Sequence, residues 1–149
     1  MYDFILLGSN GFVGKNLNIF LRANNYKLLC VDRNSKYFNE KSYTSLPAAK
    51  FVLYMAEKNI IQDEYDKYFI DLNTKRLESA INACKGSKFI YFSSSEIYGQ
   101  SSCYPLREND FAKFTSPGER SCYAEGKRFG EIICQDYVKT FGLDLKVVR

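Results

Sequence analysis

Residues 4–14 read FILLGSNGFVG, an apolar run that breaks into three glycines spaced three apart. A short, continuous apolar run bounded by glycine reads as a strand buried on both faces. Gly8 then allows a tight turn, Gly11 a close approach of backbone to ligand, and Gly14 the packing of a following helix against the strand. Val13, Leu17, Phe20 and Leu21 recur at helical spacing behind the loop, and predict a helix with these four as its buried stripe. Asn24 and Asn25 suit its end, because asparagine tolerates the left-handed conformation. A strand that turns through glycines into a helix presents backbone N–H groups and the positive end of the helix dipole to an anion. A pyrophosphate is the expected ligand.

The rest of the chain repeats strand and helix. Residues 27–32 (KLLCVD), 51–56 (FVLYMA), 88–92 (KFIYF) and 143–148 (LDLKVV) read as further strands. Residues 74–85 carry Leu77, Ala80, Ile81 and Cys84 on one stripe and form a crossover helix, and residues 121–140 form another, with Phe129, Ile132, Ile133 and Tyr137 as its expected buried stripe. Residues 33–50 show no regular pattern. This alternation predicts an α/β fold, a Rossmann-type parallel sheet with helices on both faces. Asp32 ends the second strand, about 20 residues beyond the glycines, where a carboxylate accepts hydrogen bonds from an adenosine ribose. Its charge favours NAD over NADP, while Arg33 beside it would attract a 2′-phosphate.

Composition narrows the chemistry. The chain has 149 residues, 46% of them hydrophobic, enough for one domain with a single core. Its 21 Lys and Arg are scattered among 17 Asp and Glu for a net charge of +4, so nucleic acid is not an expected partner. Its apolar runs are far shorter than the roughly 20 residues of a membrane span, and no basic segment precedes an apolar one as in a signal peptide. The five cysteines form no C-x-x-C pair and no histidine is present, which suits reduced thiols in a cytoplasmic protein and no metal site. Without histidine, acid–base chemistry falls to carboxylates, tyrosine or lysine.

Two later stretches supply such groups. FSSSEIYG follows the strand at Lys88–Phe92, which puts its serines at the carboxyl edge of the sheet, where open parallel sheets bind ligands. In RSCYAEGKR, Tyr123 and Lys127 are four apart and share one helix face. An ammonium beside a phenol lowers the phenol's pKa from about 10 and makes tyrosine a usable general base. A serine hydroxyl brought to the same substrate oxygen would orient the proton. Gly126 within this helix costs about 1 kcal/mol relative to alanine. Each stretch alone also suits a solvated loop or an ordinary amphipathic helix.

Taken in order, GSNGFVG, Asp32, SSSEIYG and YAEGK resemble the extended short-chain dehydrogenases that modify nucleotide sugars: epimerases, 4,6-dehydratases and UDP-glucuronate decarboxylases. The resemblance implies a catalytic set of Ser94, Tyr123 and Lys127, with Glu96 matching a glutamate used by dehydratases and decarboxylases. It implies NAD contacts from Gly8, Asn10, Gly11, Phe12, Val13, Gly14, Asp32, Arg33, Met55, Ala56, Asn73, Ser93, Tyr123 and Lys127. The implied reaction passes through a 4-keto sugar, on a homodimer joined by a four-helix bundle. RSCYAEGKR is nearest the decarboxylase pattern, whereas Ser95 stands where glucose 4,6-dehydratases often carry Asp. Residues 33–50 are short for the family, so a strand and helix are expected to be reduced or lost. Residues 1–149 then correspond to an NAD(P)-binding Rossmann domain with the C-terminal substrate domain absent, and turnover is expected only from a longer chain. The alternative is a dinucleotide-binding module without catalysis.

Overall fold

The computed structural model describes residues 1–39, 42–56, 70–84, 86–99, 105–109 and 121–149. Five strands, β1 (Tyr2–Leu7), β2 (Leu28–Val31), β3 (Ala49–Tyr54), β4 (Lys88–Phe92) and β5 (Leu145–Val148), form one sheet in the order β2-β1-β3-β4-β5. Every pairing is parallel. The described helices are α1 (Phe12–Ala23), α2 (Leu77–Ala83) and α3 (Ser121–Phe141). A π-helical turn, Leu72–Arg76, leads into α2. All five strands expected from sequence are present.

The sheet is covered on both faces, which is why β1 needs no alternation of polar and apolar residues. Ile5, Leu6 and Leu7 are each fully buried. Ile5 and Leu7 join Val52, Tyr54, Phe89 and Tyr91 under α2 and α3, and Leu6 joins Leu53 and Leu21 under α1. Full burial of such side chains stabilises by about 1.5–3 kcal/mol each. Helix α1 ends as its asparagines suggest: Asn25 is the one described non-glycine residue with positive φ, at 61°.

Between β2 and β3 no strand or helix forms among the described residues, so β2 is an edge of the sheet. The connection instead folds back on itself through an antiparallel bridge between Phe38 and Tyr43. It is pinned to α2, where Ser79 Oγ accepts from the Tyr43 N–H at 3.1 Å and the Ala83 carbonyl accepts from the Leu46 N–H at 3.4 Å.

Two expected helix faces are corrected. In α1 the buried residues are Gly14 and Leu21, whereas Val13 and Phe20 are exposed. In α3 the buried face is Gly126, Lys127, Gly130, Glu131 and Cys134, and Phe129 and Ile132 are about half exposed. The physical reason in α3 is crowding from below. A Cβ at Gly130 would overlap the Tyr91 hydroxyl, so the helix sits on the sheet through glycines and buries two charged side chains beside them.

Replacing Gly130 with alanine is therefore expected to destabilise the fold by about 1–3 kcal/mol, read as a lower urea midpoint. Burial pushes the thiols of Cys84 and Cys134 up to about 12, with Glu131 adding to the shift at Cys134. At pH 8 about one in 10⁴ of either is thiolate. Mass-spectrometric mapping after a thiol reagent should find both unlabelled in the native protein and labelled in urea; native labelling at the rate of a free thiol contradicts this packing.

Candidate functional site

The chain order makes a crevice. From β1 the chain runs through α1 to β2 on one side, while β3 lies on the other, so their carboxyl ends diverge at a topological switch point. A cleft of about 360 Å³ opens there, lined by Gly8, Gly11, Asp32, Arg33, Met55 and Ala56 among others. A Cβ at Gly8, whose φ is +92°, would stand 2.7 Å from the Ala56 nitrogen, and one at Gly14 would stand 2.5 Å from the Gly8 carbonyl oxygen. These two glycines are required by the protein's own backbone. Gly11 is different: a Cβ there would meet only the Gly8 oxygen, at 3.4 Å. Gly11 is also the N-cap of α1, with no side chain capping the helix and no acidic residue in its first turn. The helix end is thus open toward an anion, with Asn10 and Gly11 lining the cleft and the side chains of Phe12 and Val13 turned to solvent.

Asp32 is held at the far end of the cleft. Asn10 Nδ2 donates to its Oδ2, and the Asn34 N–H donates to its Oδ1 at 2.9 Å. Each carboxylate oxygen keeps lone-pair capacity for a second donor. Arg33 is exposed beside it. Sequence reasoning missed the remaining wall: Asn34, Phe38, Tyr43, Leu72 and Arg76 also line the cleft, with the Arg76 guanidinium 5.5 Å from the Phe38 ring centre. The available signal was the aromatic content of residues 33–50, which carries no period.

The second group lies along the carboxyl edge of β4. Ser93 Oγ is buried without a hydrogen-bond partner. Ser94 caps the short 3-10 turn Ser95–Tyr98, its Oγ accepting from the Glu96 N–H at 3.2 Å, and the Glu96 side chain is partly exposed. Lys127 is 2% exposed, and its Nζ donates to the Phe92 carbonyl at 2.7 Å, one residue before Ser93. Tyr123, partly buried, sits one turn earlier on α3. Asn73 is not in the cleft lining: it is 1% exposed and its Oδ1 accepts from the Tyr91 hydroxyl at 2.7 Å. The edge thus places Lys127 beside Phe92 and Ser93, linked to Asn73 through Tyr91, with Tyr123 one turn before Lys127 on α3.

Beyond them Arg149 closes the edge. Its guanidinium donates to both Glu131 oxygens, at 2.7 Å to Oε2, and to the Tyr98 hydroxyl at 2.8 Å. The hydrogen-bonded Glu131 carboxylate holds Arg149 still further into its charged form. Glu131→Ala leaves that cation facing a neutral phenol and should cost about 2 kcal/mol, less than a fully buried pair because Arg149 is partly solvated. Urea unfolding with no change of midpoint would show the pair to be energetically idle.

Among the described residues no helix is long and apolar enough to cross a membrane, and no cluster of metal-ligating side chains occurs. UDP-glucuronic acid decarboxylase 1 of Arabidopsis thaliana is 38% identical over 64 residues, 43% of this chain and 15% of that protein. Among solved structures, RMD from Pseudomonas aeruginosa in complex with NADPH matches 99% of this chain and 53% of its own, at 22% identity and a TM-score of 0.74. A dTDP-glucose 4,6-dehydratase from Bacillus anthracis in complex with NAD matches 99% and 54%, at 18% identity and a TM-score of 0.71. The chain thus spans about half the length of these solved relatives, and at such identities the likeness shows a shared fold. The family assignment rests on the sequence itself: residues 4–149 match the NAD dependent epimerase/dehydratase family, to which this chain belongs.

Proposed function

We propose that the chain binds a nicotinamide adenine dinucleotide along the edge from Asp32 to Lys127, as part of an enzyme that oxidises a nucleotide-sugar hydroxyl to a keto intermediate. The observation that carries this reading is the single carboxyl edge shared by an uncapped glycine loop and a buried lysine fixed beside two serines. Two features fit the cofactor independently of any motif. Gly11 has room for a side chain within the protein, so what excludes one is a ligand against the backbone. Ser93 Oγ lacks a partner that a bound group would supply.

In this reading the N–H groups of the glycine loop, with Phe12 and Val13, take the pyrophosphate, and Asp32 takes the adenosine ribose. Asn10 and Asn34 orient that carboxylate. Asp32 favours NAD over NADP by repelling a 2′-phosphate. Met55, Ala56, Ser93 and Asn73 lie along or behind the nicotinamide half. A dinucleotide held by these residues would supply a hydride acceptor for the sugar carbon. Tyr123 takes the hydroxyl proton, Lys127 stabilises the phenolate and binds the nicotinamide ribose, and Ser94 orients the hydroxyl. Glu96, beside Ser94, suits a second step that removes a proton or a carboxylate. The local likeness to UDP-glucuronic acid decarboxylases supports carbon dioxide loss as that step. The exposed apolar residues of α3, Phe129 and Ile132, support a homodimer through this helix. The reading places the enzyme in the cytoplasm.

Fluorescence titration with NADH and NADPH tests the cofactor. Gly11→Ala should weaken NADH binding at least about tenfold, or 1.4 kcal/mol, while moving the thermal midpoint by less than about 2 °C. Wild-type protein that binds neither cofactor overturns the reading. For the chemistry, a panel of UDP, GDP, CDP and dTDP sugars should identify a substrate for the protein that carries this chain. Tyr123→Phe should then lower kcat by about 10²-fold or more with NADH affinity kept. Binding of NADH without turnover of any sugar nucleotide would favour a non-catalytic dinucleotide-binding module.

A further inference from the structure

Two consecutive residues of β4 contact Lys127. Its ammonium donates to the Phe92 carbonyl at 2.7 Å and lies 5.2 Å from the centre of the Tyr91 ring, and its own carbonyl lies 3.4 Å from the Tyr91 hydroxyl. That hydroxyl has one proton, and the shorter contact, 2.7 Å to Asn73 Oδ1, takes it. Tyr91 is fully buried and so is Asn73, at 0% and 1% exposure. Phenylalanine would fill the same space without a buried hydroxyl to satisfy, so a phenol here is a costlier choice than the core requires.

The surroundings are shaped around that hydroxyl. Gly130 has no Cβ because the Tyr91 oxygen occupies its place, so the tyrosine sets how closely α3 approaches β4 one turn after Lys127. On the other side the π-helical turn brings Asn73 inward. Its preceding residue is fastened in the same way, the Tyr54 hydroxyl donating to the Leu72 carbonyl at 2.7 Å. Two neighbouring strands thus each hold one residue of this turn through a buried phenol.

We infer that Tyr91 is a positioning residue for Lys127, its hydroxyl holding Asn73 and the π turn to β4 beneath α3 while its ring seats the lysine ammonium at the strand edge. The inference rests on the proposed dinucleotide site, and it acts on one half of it. Lys127 and Asn73 serve the nicotinamide end, whereas the glycine loop and Asp32 serve the adenosine end. Loss of the Tyr91 hydroxyl should therefore be felt by the whole dinucleotide and not by its adenosine diphosphate half.

The test compares NADH with ADP as ligands of the wild type, Tyr91→Phe, Asn73→Ala and the double variant, with thermal unfolding of each. The expected result is NADH binding weakened about fivefold by Tyr91→Phe and ADP binding unchanged. The double variant should lose no more than the worse single one, because both act through one link. Equal loss of NADH and ADP affinity, loss that simply tracks the thermal midpoint, or additive effects in the double variant would each overturn the assignment. Unchanged NADH binding in Tyr91→Phe would do the same. Wild-type protein that binds ADP and NADH equally well removes the nicotinamide subsite and this assignment with it; wild type that binds neither fails the dinucleotide reading itself.

Discussion

Three main-chain segments meet at Gly8 with no space between them. Strand β1 ends there against the backbone of Met55 and Ala56 at the end of β3, and the first turn of α1 returns at Gly14 to within contact of the Gly8 carbonyl. Backbone at this separation admits no Cβ at either glycine, so the approach fixes where β1, β3 and α1 lie relative to one another. The crevice follows from that contact, because α1 carries the chain toward β2 while β3 continues on the opposite side. The N-terminus of α1, which no side chain caps, opens at Gly11 into that crevice. Packing at Gly8 and at Gly14 follows from one steric fact, and Gly11 is the separate case that the protein itself does not crowd.

The opposite end of the edge is organised by burying polar groups. Asn73, Lys127 and Glu131 are all buried, and each is paired: with Tyr91, with the Phe92 carbonyl, and with Arg149. Such pairs contribute little net stability compared with an apolar core, and losing one partner costs more than the pair contributes. Lys127 and Glu131 lie on the sheet-facing side of α3, and Asn73 on the π turn packed against that side. That location explains the inverted character of the helix, in which glycines and charges are inside and Phe129 and Ile132 outside.

The elements read most readily from sequence are those in which one residue type has one physical use. Continuous apolar runs gave five strands, glycines at three-residue spacing gave the turn, and Asn25 gave a left-handed helix end. The faces of α1 and α3 were not recoverable from periodicity, since apolar spacing shows that a stripe exists and not which surface it meets. The π turn at Leu72–Arg76 was hidden for another reason. Two of its residues are held by tyrosine hydroxyls from β3 and β4, each 18 residues away along the chain. Of the site, the spacing of Tyr123 and Lys127 gave a shared helix face and not its position against β4, and the Asn10 and Asn34 contacts to Asp32 depend on loop geometry that no pattern encodes.

The connection between β2 and β3 shows how a site wall can persist without the element expected to build it. Ending at β2, the sheet offers no outer strand to close the Asp32 end of the cleft. The chain closes it by turning back at once. The Asn34 N–H caps Asp32, the Ser35 N–H bonds to the Asp32 carbonyl at 3.2 Å, and the Phe38 N–H bonds to the Ser35 carbonyl at 2.9 Å. These bonds tie the orientation of the Asp32 carboxylate to the position of Phe38, and the bridge to Tyr43 ties both to α2 through Ser79. The carboxylate and the aromatic wall are therefore linked by one run of hydrogen bonds, so a change in the length of residues 33–47 would alter both the charge and the shape of that end of the cleft at the same time.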